Sequence, residues 1–422
     1  MSLLKLRRAC YFAHAMSRQD LFSASKNQTH PRERGNGLSV ALVSEYFYPD
    51  VGGMPEHVHE LARALCKRGH RVFVVTTDFP GQHVTPKPQN EVPYDVFRLG
   101  TACPPIVLNG SVCRAAVGLS LRRDLERLFA AQGVDVVHVH APIFPTLALL
   151  ATKCAPKHAV TIGTLHTHFE DSWALRMFRA PLAQYLDSLD GLIAVSDTAA
   201  DSLRRVGFRV DARVIPNGVD VAAWQTGNRN ESLRTGSSFC LLAMARLEPR
   251  NRIETVVDAL RIGQTEGRNA RLWVLGDGPR KAELVQRARG VDVQFFGSVL
   301  AERPAFAASA DAFCFTADIA SFPMSLIEGM AAGLAVIAHP IPGVRELVRD
   351  GENGLLVPLC NAQAYAEALR ALQENHTLRR TLGEAARQTV APLDWSKLAA
   401  QIEAEYERAR SSPRTLAPKQ SA

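Results

Sequence analysis

From residue 38 onward the chain repeats one unit: an apolar run, a turn, then an amphipathic segment. Ten runs stand out: "SVALVSE" (39–45), "RVFVVTT" (71–77), "VDVVHVH" (134–140), "HAVTIGTLH" (158–166), "GLIAVSD" (191–197), "FCLLAMA" (239–245), "ARLWVLGDG" (270–278), "VDVQFFG" (291–297), "DAFCFTA" (311–317) and "LAVIAHP" (334–340). They lack strict apolar–polar alternation, so both faces of each strand need cover, which is the condition of a parallel sheet. Segments such as "PEHVHELARALCKRG" (55–69) have helical periodicity and supply the right-handed crossovers between parallel neighbours. The expected fold class is α/β.

The series breaks once, at "NGVDVAAWQTGNRNESLRTGSS" (217–238), a stretch rich in Gly, Asn, Ser and Thr that reads as a linker. It divides the chain into two doubly wound, Rossmann-like domains, 38–222 and 223–392, with five runs each. The carboxyl ends of parallel strands face the cleft between such domains, which makes that cleft the expected ligand site.

Residues 1–37 read as a disordered leader or the product of a mistaken upstream start. Seven Lys or Arg against two acids interrupt any secretory apolar region; an Arg- and Ser-bearing organellar transit peptide is the other reading. No run approaches the roughly 18 to 20 uncharged apolar residues of a membrane helix. Eight cysteines without a C-x-x-C pair suit reduced thiols, hence a cytoplasmic protein, more than a disulfide framework or zinc site. The net charge of +7 favours anionic partners, but neither finger spacing nor an aromatic RNP-like strand appears, which argues against nucleic acid. No oligomeric state follows from the sequence.

Five segments bear on chemistry. In "EYFYPDVGGMPEHVHELA" (45–62), Gly52 and Gly53 permit a turn whose N–H groups can cradle a phosphate; a plain strand-to-helix turn is the alternative. "LGDGPRKAEL" (275–284) places Gly276 and Gly278 in a second such turn, without a dinucleotide or P-loop fingerprint, and "FFGSV" (295–299) could present backbone groups to a base. "ARLEPRNRIETVVDAL" (245–260) sets Arg246, Arg250 and Arg252 at a strand's carboxyl end, suited to phosphate. Glu328 opens "EGMAAGLAVIA"; it could accept hydrogen bonds from a ribose diol, or be an acid favoured at a helix N-terminus. In "TLHTHFEDS" (164–172), His166 and His168 share one side if the strand continues, with Glu170 and Asp171 nearby. No third metal ligand is placed by the sequence and no D-x-D is present, so a hydrogen-bonding His is expected over a metal. A divalent metal stays admissible without being implied.

Taken together, residues 38 to 410 resemble a retaining glycosyltransferase of the GT-B fold, family 4. "VIPNGVD" (214–220), "GVRELVRDGENGLLVP" (343–358) and the tryptophan segment "LDWSKLAAQIEAEYERAR" (393–410) add to the likeness. In that fold the last helix packs back on the first domain. The stretch 104–151 is similar to phosphatidylinositol mannosyltransferases. In them, an "NGSVxR" loop holds the inositol phosphate headgroup, implying Asn109, Ser111 and Arg114 here; Tyr46 matches a tyrosine lying against the inositol ring. "LSLRRDLERLFAAQ" (119–132) matches a helix that docks on anionic membrane through charges such as Arg122, Arg123 and Arg127, with Leu121, Leu125, Leu128 and Phe129 dipping into lipid or packing inward. An ordinary crossover helix with a basic face is the competing reading.

The resemblance also implies Gly53 and Arg246 at the donor diphosphate, His166 at the sugar and Glu328 at the nucleotide ribose. It implies a nucleotide-sugar donor, GDP-mannose foremost, no required cofactor, and a lipid acceptor at a cytoplasmic membrane surface. Two positions depart from the family's pattern. Its Lys is Asn251, and the first acid of its E-x7-E pair is Ala320. Losing one electrostatic stabiliser costs about 3 to 4 kcal/mol. Arg250 or Arg252 for the Lys, and Asp318 for the acid, are the candidate replacements. A non-catalytic binding module and a family 4 enzyme of other specificity are the rival readings.

Overall fold

The computed structural model describes residues 37–411 apart from 49, 51, 79–91, 104–105, 109–110, 114, 144–145, 169–172 and 235–237. Two parallel sheets account for all ten apolar runs. The first contains β1 (Ser39–Val43), β2 (Arg71–Asp78), β3 (Asp95–Ala102), β6 (Ala116–Val117), β7 (Val136–His140), β8 (Val160–Leu165), β9 (Gly191–Ala194) and β10 (Arg213–Val214), in the order β10-β9-β8-β7-β1-β2-β3-β6. A separate antiparallel hairpin pairs β4 (Ile106–Leu108) with β5 (Ser111–Cys113). The second sheet orders β13 (Val293–Gly297), β12 (Ala270–Leu275), β11 (Phe239–Met244), β14 (Ala312–Phe315), β15 (Ala335–Ala338) and β16 (Leu355–Leu356).

The apolar runs are buried on both faces because helices cover both. Val40 and Leu42 of β1 face a core shared with Leu61 and Leu65 of the helix Gly53–Lys67, whereas Ala41 and Val43 face the opposite core. The helix Trp395–Ser411 lies on the first sheet's side, with Trp395, Leu398, Ile402 and Tyr406 in the same core as Leu61. Its entry runs beside the crossing segment: Val219 N–H donates to the Leu393 carbonyl (2.9 Å) and Trp395 N–H to the Val219 carbonyl (3.3 Å). The two passages between the sheets therefore adjoin. The linker reading of 217–238 is corrected in one respect, since Trp224 of the short helix Val221–Gln225 is buried in the second sheet's core.

The sequence missed the short strands. Residues 95–102 are only partly covered, and β6, β10 and β16 have two residues each, too few for an apolar signal. Cys66, Cys103, Cys154, Cys240, Cys314 and Cys360 are free thiols. Among the described residues no helix is long and apolar enough to cross a membrane.

Candidate active site

The loops at the carboxyl ends of both sheets meet. Gly52 caps the helix Gly53–Lys67, which starts two residues before Pro55. A Cβ on Gly53 would stand 3.4 Å from Met324 Cγ, so the glycine faces the start of the helix Met324–Ala331 on the other sheet. Ser321 Oγ donates to the His166 carbonyl, Ser196 Oγ to the Ser321 carbonyl (2.9 Å), and Asn217 Nδ2 to the Phe322 carbonyl (2.9 Å). The 316–323 loop is thereby fastened to the first sheet's strand ends.

Arg246 follows β11 and spans the cleft: Nη1 donates to Asp50 Oδ1 (3.2 Å) and Nε lies 2.9 Å from Glu248 Oε1. Arg250 Nε donates to the other oxygen of Glu248 (3.1 Å). Arg252 has φ +46, a left-handed conformation that disfavours side chains, and its Nε donates to Asp318 Oδ2 at 2.8 Å. Asn251 turns away, its Nδ2 donating to the Arg246 carbonyl (2.6 Å). Of the three candidate replacements, Arg252 and Asp318 form one ion pair beside the positions of the departures, whereas Arg250 is held by Glu248. Gly276 and Gly278 serve this loop. A Cβ at Gly276, where φ is +146, would sit 1.9 Å from the Ala245 carbonyl oxygen, and one at Gly278 2.6 Å from that of Leu247. Only glycine lets the turn after β12 lie against the backbone that carries Arg246.

Glu328 is not at a helix head. The helix begins at Met324, so Glu328 sits in its second turn, 3% exposed, and the macrodipole account does not apply. Arg303 Nη1 donates to both its carboxylate oxygens (3.0 and 3.2 Å).

The strand ends at Leu165, so His166 and His168 diverge. His168 Nδ1 meets Ser202 Oγ at 2.7 Å, while His166 Nε2 meets His140 Nδ1 at 3.0 Å. His57 joins them, its ring centroid 4.6 Å from that of His166 and its Nδ1 2.9 Å from Asn217 Oδ1. Behind lies His138, stacked on His140 and bonded to Tyr406 and Thr164. Burial, aided by mutual repulsion, pushes His138 down to about 3 and holds His140 and His166 well below the usual imidazole range; burial also lowers His57 to about 4. At neutral pH these rings are uncharged hydrogen-bonding groups. His57, His140 and His166 are also the set among the described residues able to hold a metal ion, with one nitrogen of each within 4.8 Å of the others. The sequence placed only His166 of the three; His57 and His140 lie in runs that read as core.

Of the expected acceptor residues, Tyr46 is half-buried just past β1, and Ser111 lies in β5. Asn109 and Arg114 fall outside the described residues. In the helix Leu121–Gln132, Leu121, Leu125, Leu128 and Phe129 pack into the first core, so they do not dip into lipid. Arg122, Arg123 and Arg127 are exposed, and Val117 and Leu119 just before them are exposed apolar side chains.

Residues 51–223 match the domain family described as Glycosyltransferase Family 4, and residues 225–389 the one described as Glycosyl transferases group 1. The chain is 32% identical over 383 residues to a phosphatidyl-myo-inositol mannosyltransferase of Mycobacterium tuberculosis strain H37Rv, covering 89% of this chain and 98% of that one. It is 26% identical to the alpha-monoglucosyldiacylglycerol synthase of Streptococcus pneumoniae, over 82% of each. In fold it matches the crystal structure of Anabaena HepE in complex with UDP and glucose, with a TM-score of 0.71 at 19% identity, over 88% of this chain and 99% of that one.

Proposed function

The chain belongs to the GT-B glycosyltransferases that join a family 4 domain to a group 1 domain, and on that footing we propose that it moves mannose from GDP-mannose to a phosphatidylinositol-like lipid at the cytoplasmic face of a membrane, with retention at the anomeric carbon. The observation that carries the reading is the position of Arg246: an anion entering the cleft meets a guanidinium that already spans it to Asp50 at 3.2 Å. The donor diphosphate takes Arg246 over from its carboxylates. The neutral His166 hydrogen-bonds the sugar, and Glu328 accepts the ribose diol. The acceptor hydroxyl attacks on the face of the departing phosphate, which takes its proton, so the protein's work is to orient the partners and neutralise charge. Arg252 and Asp318 stand in for the missing Lys and Glu. Relatives named phosphatidyl-myo-inositol mannosyltransferase, alike over most of the chain, support the choice of sugar and acceptor.

A second reading, a nucleotide-sugar-binding module without turnover, is favoured by Asn251 being bonded to the backbone and by Ala320. The full chain, given a panel of GDP- and UDP-sugars with vesicles containing phosphatidylinositol or diacylglycerol, separates the readings. Labelled phosphatidylinositol from GDP-mannose supports the proposal. Labelled diacylglycerol shifts the acceptor, and donor binding without any labelled lipid favours the module.

A further inference from the structure

Arg303 opens the helix Arg303–Ser309 and was not singled out in the sequence. Its guanidinium serves two carboxylates from different domains. Nη1 donates to both oxygens of Glu328 on the second sheet's side, and Nη2 donates to Glu56 Oε1 (2.8 Å) on the helix Gly53–Lys67 of the first. Nε donates to the Leu300 carbonyl (3.3 Å), and Glu56 accepts a second hydrogen bond from the Tyr48 hydroxyl. Glu56 is 8% and Glu328 3% exposed. Burial by itself would lower the Arg303 pKa; the charges of Glu328 and Glu56 outweigh it and hold the guanidinium firmly protonated.

Two consequences follow. A carboxylate offers about four lone pairs, so Glu328 keeps acceptor capacity for a vicinal diol while Arg303 fixes its plane. And the second arm of Arg303 finds Glu56 only when the domains are together. We propose that Arg303 is a positioning residue that orients Glu328 for the ribose of a nucleoside diphosphate sugar and ties that orientation to closure of the cleft through Glu56. This rests on the nucleotide-sugar reading of the site.

The test uses the full chain with GDP and UDP as probes, in calorimetric titration, small-angle scattering and steady-state kinetics. Arg303→Met should weaken the bound nucleoside diphosphate at least ~10-fold and enlarge the radius of gyration, because it loses a charge-assisted pair and leaves two buried carboxylates facing each other. Arg303→Lys, a point charge that cannot fork to both partners, should recover part of the affinity. Glu56→Gln should enlarge the radius of gyration and lower kcat while nucleotide affinity changes less than ~3-fold, since the Arg303–Glu328 pair survives. Wild-type affinity in Arg303→Met, or an affinity loss in Glu56→Gln equal to that of Arg303→Met, overturns the proposal. If Arg303→Met does not fold, Glu56→Gln alone decides. If the wild type binds neither nucleotide, the nucleotide-sugar reading fails by itself. The scattering arm still judges the link to closure, and unchanged dimensions in both variants overturn it.

Discussion

Arg252 is held in a left-handed backbone conformation, a strained state costing on the order of 1–3 kcal/mol, and its side chain is fixed on Asp318 at 2.8 Å. Strain kept in place beside Arg246, in a chain with Asn251 and Ala320 where a Lys and a Glu would be expected, suits a pair that has taken over their work. Arg252→Ala and Asp318→Ala should each lower kcat by about 10² to 10³ on the lipid acceptor. The double variant should be little worse than either single one, because paired residues act as a unit. Unchanged rates would leave the pair a local strut. The sequence nominated both residues but not their bond, because a separation of 66 positions conceals that β11 and β14 are neighbours. Glu45 was passed over inside an apolar run. It is buried, accepts the Leu147 N–H (2.7 Å), and desolvation pushes its pKa up to about 7 from 4.5. The folded protein therefore holds a proton there that the unfolded chain releases above 4.5, so this residue lowers stability as pH rises to 7. Glu45→Gln keeps the acceptor and should raise stability by about 3 kcal/mol at pH 8, read from urea unfolding, with no gain at pH 4.

The helix Leu121–Gln132 shows how much a pattern alone reveals about an element. Its 3.6-residue periodicity was legible, and the apolar stripe went where periodicity sends one, into the core. What periodicity could not give was the exposed pair Val117, at the end of the two-residue β6, and Leu119, in the turn after it, where no repeat exists to read. These two, with Arg122, Arg123 and Arg127, form an apolar tip beside a basic face. Reversing the three arginines to Glu should cut binding to phosphatidylinositol-containing vesicles by more than ~100-fold at low salt, at about 1 kcal/mol for each charge near the surface. Leu119→Asp should weaken it too without moving the melting temperature, since that side chain is fully exposed. Binding that survives both changes would make this an ordinary crossover helix. The helix carrying Glu328 begins four residues before "EGMAAGLAVIA", at Met324 directly after Pro323, and that start fixes Glu328 in the interior.

At the scale of the whole chain, the α/β plan with two parallel sheets was readable because each buried strand announces itself locally. The joint between them was not, since contacts such as Glu56–Arg303 and Asn217–Phe322 depend on how two separately legible units meet. The four histidines His57, His138, His140 and His166 occupy that joint. His57 touches Trp395 and Asn217, and His138 bonds Tyr406, so they bind strand ends, crossing segment and last helix into one assembly. Their depressed pKa values make acid the natural solvent for it. Below the unfolded value of 6.5 the unfolded chain takes up four protons that the folded one refuses, so stability falls as pH drops from 6.5 towards 4. Glu45 works the other way by one proton between 4.5 and 7. The histidines outnumber it, so stability should fall, ever more steeply, as pH drops below 6.5. Urea unfolding at pH 7.5, 6.5 and 5.5 measures the slope. A flat profile would mean that these rings are protonated in the folded protein, and in the proposed reaction His166 would then be a cation rather than a neutral hydrogen-bonding group.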